Sequence, residues 1–563
     1  MSGLQLLLVI VGAIAVTAYA QRRAAQPALV ITLVGLAASF IPGIPRLELD
    51  TDIVLGVVLP PLLYSTALSF SVVAFLRKLG PILLLGVGLV IATTFAVGAV
   101  GAWVLPGLTG GAAIVLGAVV APPDAVSAVA IGRELGLRRR VLSVLTGESL
   151  VNDAAALTLF SVAVASVTGS HTFVDNPFLL FLYSSVVGVV SGLAIGIVAL
   201  SIRRVLNDAG LETVLGLVIP FAAYMLAEEL EASGVLAVVT AGFLVGQLSV
   251  RFGYETRLQE RQVWGAVDVL LETFVFAYMG LQLRFVIEDL QHAHESVPQV
   301  FGAGLLVLLA VIVIRPVWIL LTLGAGLVVE DRPDDPAVVR AQRRLREANA
   351  RAIARGRRTR PESSIEPLTL REAVVVSWTG MRGVVTLAAA AGIPLTLQSG
   401  APFPGRAEIQ AIAFLVAVGT LLLQGATLPW LIRRLGVQDP LEEEKAREQR
   451  RAAERIAHHA ADEVYREFVA SPPEGIDPKF VEATAQRLQR TRQASVDEAA
   501  DAPTRGAAGR AIATLTRRVT AAQRAALVEA MRRGEVDDEA VRDLLETVDL
   551  QEAAIASRVR ARL

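Results

Sequence analysis

Long apolar runs alternate with short polar connections over residues 1–436. An α-helix needs about 20 mainly apolar residues to cross a bilayer, and about thirteen segments approach or exceed that length. They lie near residues 3–20, 26–42, 52–70, 80–105, 111–131, 141–166, 177–201, 211–229, 234–250, 262–282, 299–328, 372–398 and 409–432. The pattern therefore predicts an all-α, polytopic membrane protein.

Lysine and arginine gather in alternate connections between these segments. These connections are 22–23, 77–78, 133–140, 203–204, 251–261, 332–371 and 433–434. We expect a protein of the plasma (inner) membrane. Because loops rich in Lys and Arg stay in the cytoplasm, its N-terminus should lie outside the cell and its C-terminus in the cytoplasm. No basic residue precedes the first run, which predicts a retained span rather than a cleaved signal peptide.

Two regions outside the apolar runs hold most of the charge. Residues 331–371 form a basic loop, interpreted as a cytoplasmic anchor beside anionic lipid. Residues 437–563 are rich in Ala, Arg and Glu, and 443–469 and 507–531 have the periodicity of amphipathic helices. They predict a cytoplasmic helical tail after a transmembrane domain at 1–436. Whether this tail is solvated, packs as a structural element or regulates is open at this point.

Composition narrows the class of function. The chain is 54% hydrophobic and 19% charged, against about 25% charged in soluble proteins. A net charge of −1 speaks against a nucleic-acid partner. There is no cysteine, and the five histidines all lie outside the apolar runs, which argues against thiol, Cys-metal or histidine-based intramembrane catalysis. We expect neither an enzyme nor a cofactor.

Polar residues inside a membrane span mark pathways and proton relays. The sixth apolar segment contains Glu148, Ser149, Asn152 and Asp153. On a helix, Ser149 and Asp153 share one face, while Glu148 and Asn152 share the adjacent face. A carboxylate beside a hydroxyl is a hard oxygen site for a small cation, and low dielectric lets the same carboxyl hold a proton. The alternative is a hydrogen-bonded polar cluster that only joins helices.

The fifth apolar segment is interrupted by Pro122, Pro123 and Asp124. Two prolines remove two backbone donors, which frees the carbonyls of Ala118 and Val119 from helical partners. Broken helices of this kind bind ions in many transporters. The alternative is a simple proline kink.

The twelfth apolar segment contains Arg382 between two glycines, Gly380 and Gly383. A buried arginine needs a partner, and Glu148 is the candidate. A helix C-terminus or freed carbonyls are the alternatives.

The fifth and twelfth segments are each followed by one further helix. If segments 1–6 and 8–13 form two inverted repeats, the interruptions fall at matching positions, which is typical of transporter binding sites. Asp268 and Glu272 share a face of the tenth segment and could line a vestibule. Arg315, before Pro316 in the eleventh, is assigned no transport role.

Four runs resemble signatures of the monovalent cation:proton antiporters of the bacterial NhaP and eukaryotic NHE type. They are 147–153 (GESLVND), 59–64 (LPPLLY), 233–238 (SGVLAV) and 380–383 (GMRG). The resemblance covers most of 1–436 and not the tail. It implies a thirteen-helix antiporter with a core domain, a dimerisation domain, a homodimer and elevator-like alternating access.

The resemblance also implies roles for the polar residues. Asp153 would bind the cation or the proton, with Ser149, the backbone near Pro123 and Asp124 helping to coordinate the cation. Asn152 would hold the unwound segment in place, and an Asn-Asp pair resembles the electroneutral branch of the family.

Glu148 and Arg382 resemble the family's structural ion pair. Two positions depart from the family pattern. Ser65 stands where a Glu or Asn is frequent. Its hydroxyl can still ligate a cation, but it adds no charge. Pro123 stands where Thr is frequent, and it lacks the hydroxyl.

These observations predict a secondary antiporter that exchanges protons for Na⁺, with Li⁺ and K⁺ as further candidates, for pH and cation homeostasis. A K⁺/proton antiporter is the alternative within the class. A cation channel is less favoured because no repeated filter sequence is present. A membrane sensor would not require the buried acids.

Overall fold

The computed structural model describes most of the chain. The described residues are 3–23, 25–42, 54–70, 72–169, 176–206, 208–249, 253–323, 328–329, 368–437, 442–471, 507–533, 535–536 and 538–560. The predicted basic loop at 331–371 lies outside them except for its last four residues.

Helices form almost all of the described part of residues 1–436. They are α1 (Gly3–Arg22), α2 (Pro27–Ala38), α3 (Leu59–Ser69), α4 (Val72–Arg77), α5 (Leu79–Val104), α6 (Gly110–Val120), α7 (Ala125–Glu134), α8 (Arg139–Thr168), α9 (Pro177–Arg203), α10 (Ala209–Glu229), α11 (Gly234–Leu248), α12 (Tyr254–Leu281), α13 (Leu283–His292), α14 (Val297–Leu323), α15 (Leu370–Trp378), α16 (Val384–Ala391) and α17 (Arg406–Leu435). Strand β1 (Val328–Val329) pairs in parallel with β2 (Leu368–Thr369).

The predicted all-α polytopic fold is confirmed. Seven of the described helices are long and apolar enough to cross a membrane. They are Leu79–Val104, Arg140–Thr168, Phe178–Arg203, Ala209–Glu229, Tyr254–Leu281, Val297–Thr322 and Arg406–Leu435. The other predicted segments correspond to shorter apolar helices or to pairs of half-helices. The count of thirteen crossings and the inverted repeats stay predictions.

Two helices are interrupted where the sequence predicts it. Helix α6 ends at Val120 and α7 begins at Ala125, so residues 121–124 form a non-helical stretch. Neither Pro122 nor Pro123 can donate an amide hydrogen bond to a preceding turn, which accounts for the interruption. A second non-helical stretch, 379–383, separates α15 from α16.

The two interruptions cross each other. The Asp124 amide donates to the Met381 carbonyl at 2.6 Å, and the Arg382 amide donates to Thr420 Oγ1 on α17 at 2.8 Å. Glycine is required at 383, because a Cβ there would lie 2.5 Å from Asp124 Oδ2. Gly383 therefore permits a close approach to Asp124 that a side chain at position 383 would block.

Helices α8 and α12 belong to different packing groups. Helix α8 packs against α5, α6 and α7, whereas α12 packs chiefly against α1, α2 and α10. Glycines bring α2 and α12 together, since a Cβ on Gly35 would lie 2.9 Å from the Gly280 Cα. A space between these groups is thus bounded by α8 on one side and α12 on the other.

The described part of the tail forms three helices: α18 (Glu442–Ala470), α19 (Ala507–Arg533) and α20 (Asp538–Arg560). They pack together around buried apolar side chains such as Leu527, Val541 and Leu544. The described part of the tail is therefore a packed helical element.

Helix α20 also contacts the membrane-spanning part. The buried Asp549 carboxylate accepts from Arg257 Nε of α12 at 2.7 Å and from Arg524 of α19 at 3.0 Å. Arg542 donates to the Ser69 carbonyl at the end of α3, at 2.6 Å. Charged contacts therefore join the tail to both α3 and α12.

We expect Asp549→Ala to loosen the tail. Removing the acceptor takes away its hydrogen bonds from Arg257 and Arg524, and a hydrogen bond to a charged group contributes about 1.5–3 kcal/mol. Limited proteolysis of the purified protein should cut the tail faster than in the wild type. The matched control is Glu546→Ala, which breaks a more exposed ion pair with Arg261 and should change little. Equal cleavage of both variants would contradict the docking role of Asp549.

Candidate functional site

A cavity lies at the crossing of the interrupted helices. Its empty volume, including the part that opens outward, is about 690 Å³. It is lined by residues of α3, the first interruption, α8, α12 and the start of α16: Leu59, Leu62, Leu63, Thr66, Pro122, Pro123, Asp124, Ser149, Leu150, Asp153, Glu272, Val275, Phe276, Gly383, Val384 and Val385. Most of the lining is apolar, so the few oxygen-bearing side chains stand out.

Asp153 is the most deeply placed of these acids, with only 8% of its surface exposed. Ser149 precedes it by four residues on α8, so both side chains face the cavity. Among the described residues, none hydrogen-bonds to the Asp153 carboxyl, and the nearby Asp124 carboxylate repels it. A buried carboxylate in that position requires a bound cation or its own proton.

Asn152 binds the backbone of the first interruption. Its fully buried side chain donates from Nδ2 to the Pro123 carbonyl at 2.7 Å, which ties α8 to the non-helical stretch after α6. The expected contact between Asn152 and the unwound segment is therefore present. Pro123 lines the cavity, but its carbonyl oxygen is already engaged by this amide.

The expected pair between Glu148 and Arg382 is wrong. Glu148 instead forms a bidentate ion pair with Arg315 of α14, with Nη1–Oε1 at 2.5 Å and Nη2–Oε2 at 2.8 Å. Both side chains are at most 2% exposed. The planar guanidinium matches the two carboxylate oxygens, which makes this the stronger pairing.

Arg382 binds carbonyls instead. Its Nε donates to Val120 at 3.0 Å and its Nη2 to Ala121 at 3.3 Å, and Nη1 reaches Gly380. These oxygens carry the partial negative charge at the end of α6. The alternative partner considered for Arg382 is thus the observed one, although the carbonyls are Val120 and Ala121 rather than Ala118 and Val119.

Arg315 serves the other interrupted helix in the same way. Its Nε donates to the Val376 carbonyl at 2.8 Å, near the end of α15. Each half-helix C-terminus at the crossing therefore receives a buried arginine. The sequence signal for Arg315 is its position inside an apolar segment, which predicts a carbonyl or an acid as its partner.

The cavity does not include every residue expected there. Ser65 lies outside the lining and donates to Asp268 Oδ1 at 2.6 Å. Glu272, one turn further along α12, does line the cavity, which fits the expected vestibule and places a third carboxyl group there. Cation ligation by any of these residues stays a prediction.

Comparison with known proteins identifies the family. The sequence model described as "Sodium/hydrogen exchanger, transmembrane" matches residues 6–434. The chain belongs to the sodium/hydrogen exchanger family. It is 30% identical over 566 residues to an uncharacterized Na(+)/H(+) exchanger of Mycobacterium tuberculosis, covering 98% of this chain and 96% of that protein.

Two further relatives extend the comparison. A sodium, potassium, lithium and rubidium/H(+) antiporter of Bacillus subtilis is 28% identical, over 72% of this chain and 57% of that protein. The fold is similar to that of the sodium proton antiporter MjNhaP1 of Methanocaldococcus jannaschii. The TM-score is 0.56 at 18% identity, covering 77% of this chain and 98% of that chain. The predicted family is confirmed, and the exchanger is a multi-pass membrane cation:proton antiporter.

The observed ion pair predicts a specific pattern of coupling. We expect Glu148→Ala and Arg315→Ala each to destabilise the exchanger strongly, because breaking a buried pair costs about 3–5 kcal/mol. The double variant should lose less than the sum of the two. Melting temperature in detergent and the folded fraction on size-exclusion chromatography are the readouts.

The matched control cycle pairs Glu148→Ala with Arg382→Ala. Because Arg382 binds carbonyls, these two losses should be closer to additive. Strong coupling of Glu148 to Arg382, with none to Arg315, would contradict the observed pairing.

Proposed function

We propose that this exchanger moves Na⁺ against protons by letting the two compete for the Asp153 carboxyl. The observation that carries the proposal is a nearly buried carboxylate in an open cavity with no hydrogen-bonding partner among the described residues. Such a group can hold a cation or a proton, and binding one excludes the other. That exclusion couples the two fluxes.

The two buried arginines at the helix crossing support this assignment. Arg315 is engaged by Glu148 and Val376, and Arg382 by the carbonyls that end α6. Their positive charges therefore offset Glu148 and the helix ends. The charge of Asp153 is left to be compensated by the transported ion.

The ligands proposed for the cation are oxygens of Asp153, Ser149 and Asp124, with the backbone at Pro123 beside them. Hard oxygen ligands suit alkali ions. Li⁺ and K⁺ are further candidate ions, and K⁺/proton exchange is the alternative, in line with the range of ions in the name of the Bacillus subtilis relative.

The proposed exchange is one cation for one proton. The residue before Asp153 is the neutral Asn152, which is committed to the Pro123 carbonyl and adds no second titrating charge on α8. Release on the opposite side follows from alternating access, in which the α8 group moves relative to the α12 group.

The cellular setting belongs to the same proposal. The alternation of basic loops favours the plasma membrane with the N-terminus outside and the C-terminus in the cytoplasm. A homodimer is proposed from the family resemblance. The role is pH and cation homeostasis, without nucleic acid or cofactor.

We expect Asp153→Asn to abolish exchange. In sealed vesicles with a preformed proton gradient, adding Na⁺ should dissipate the gradient for the wild type and have no effect for the variant, because an amide cannot exchange a proton for a cation. Li⁺ and K⁺ added in turn identify the ions accepted. Dissipation by K⁺ alone would favour the alternative.

The matched control is Asp208→Asn. Asp208 caps α10 at the surface by accepting from the Leu211 amide, and Asn is an equally good cap. This variant should exchange like the wild type. An Asp153→Asn variant as active as Asp208→Asn would overturn the proposed mechanism.

A further inference from the structure

The cavity has two walls that belong to separate packing groups. Asp124, Ser149 and Asp153 lie on the wall made by the first interruption and α8, here called the α8 wall. Thr66 and Glu272 lie on the wall made by α3 and α12, here called the α12 wall. Helices α8 and α12 have different main neighbours, so the acids on these two helices are positioned by largely different packing.

Glu272 supplies the charge of the α12 wall. Asp268, one turn earlier, accepts a 2.6 Å hydrogen bond from Ser65 and does not line the cavity. Thr66 donates its hydroxyl hydrogen to the Leu62 carbonyl at 2.9 Å. Among the cavity-lining residues that the structure describes, Glu272 is therefore the only ionisable group on this wall.

The Glu272 carboxyl faces the other acids. It is half-buried, no described residue hydrogen-bonds to it, and the Asp124 and Asp268 carboxylates repel it. The neighbouring Asp153 is more than nine-tenths buried and equally without a hydrogen-bonding partner among the described residues. Carboxylates on opposite walls of one cavity attract a cation between them.

Helix α12 is held in place at several points along its length. Buried Arg203 of α9 pairs with its Glu260, Gly280 packs closely on Gly35 of α2, and Arg257 is bound by Asp549 of the tail. The position of the Glu272 backbone is thus set by packing that does not involve α8.

We propose that Glu272 raises the affinity of the exchanger for the transported cation from the α12 wall. This inference rests on the proposed function and adds to it a third carboxylate, carried by a different helix. Glu272 strengthens cation binding electrostatically, and Asp153 remains the group at which cation and proton exclude each other.

The expected signature is a change in affinity without a loss of turnover. Removing one nearby charge from a partly buried site weakens cation binding by about tenfold. In the vesicle assay, Glu272→Gln should raise the Na⁺ concentration for half-maximal exchange by about that factor, with the maximal rate within about twofold of wild type.

The matched control is Asp268→Asn, which removes the same charge one turn away on the same helix and outside the cavity. Its half-maximal Na⁺ concentration should stay within about threefold of wild type, because the lost charge is farther from the ion. An unchanged value for Glu272→Gln, or a fall in maximal rate alone, would overturn the inference.

Two further comparisons keep the outcomes separate. A wild type with no cation-driven exchange overturns the proposed function, whereas an active wild type with an unaffected Glu272→Gln variant overturns only the role of Glu272. Should Glu272→Gln not fold, Glu272→Asp decides. It keeps the charge but draws the carboxylate back from the cavity, so the half-maximal Na⁺ concentration should rise by about threefold or more, and an unchanged value would refute the inference.

Discussion

The crossing of two interrupted helices is the constraint on which the rest of this exchanger depends. It brings two half-helix ends with exposed carbonyls into an apolar interior, where unsatisfied backbone groups are costly. Two buried arginines donate hydrogen bonds to these carbonyls. Arg382 binds the carbonyls that end α6, and Arg315 binds one near the end of α15 while it pairs with Glu148. The unusual backbone is thereby stabilised at the depth of the cavity.

The same arrangement decides which acid is available for transport. Glu148 is ion-paired with Arg315, so its role is structural. Asp153, five residues later and on the adjacent face of α8, points into the cavity instead. One helix thus carries a structural acid and an exchangeable acid side by side. Asn152 between them holds the non-helical stretch 121–124 through Pro123, which keeps Asp124 beside the exchangeable group.

Much of this could be predicted from sequence because each interruption leaves a local mark. Paired prolines before Asp124 and glycines around Arg382 stand out in apolar runs, and their effect on a helix is a property of the residues themselves. The partner of Glu148 could not be predicted, since α14 carries one buried arginine and the stretch 379–383 carries another, and only the three-dimensional crossing selects between them. The position of Ser65 outside the cavity could not be predicted for a similar reason, because its hydrogen-bond partner Asp268 lies on a helix that is distant in sequence.

The central claim is that cation and proton exclude each other at Asp153. It is tested most directly by adding Na⁺ to purified, full-length protein in weakly buffered solution and measuring the protons released. At a pH where Asp153 holds its proton, about one proton should be released per Na⁺ bound, because a ligand must be deprotonated to bind the ion. Asp153→Asn should release none. Na⁺ binding without proton release, or the same release from Asp153→Asn, would contradict the account.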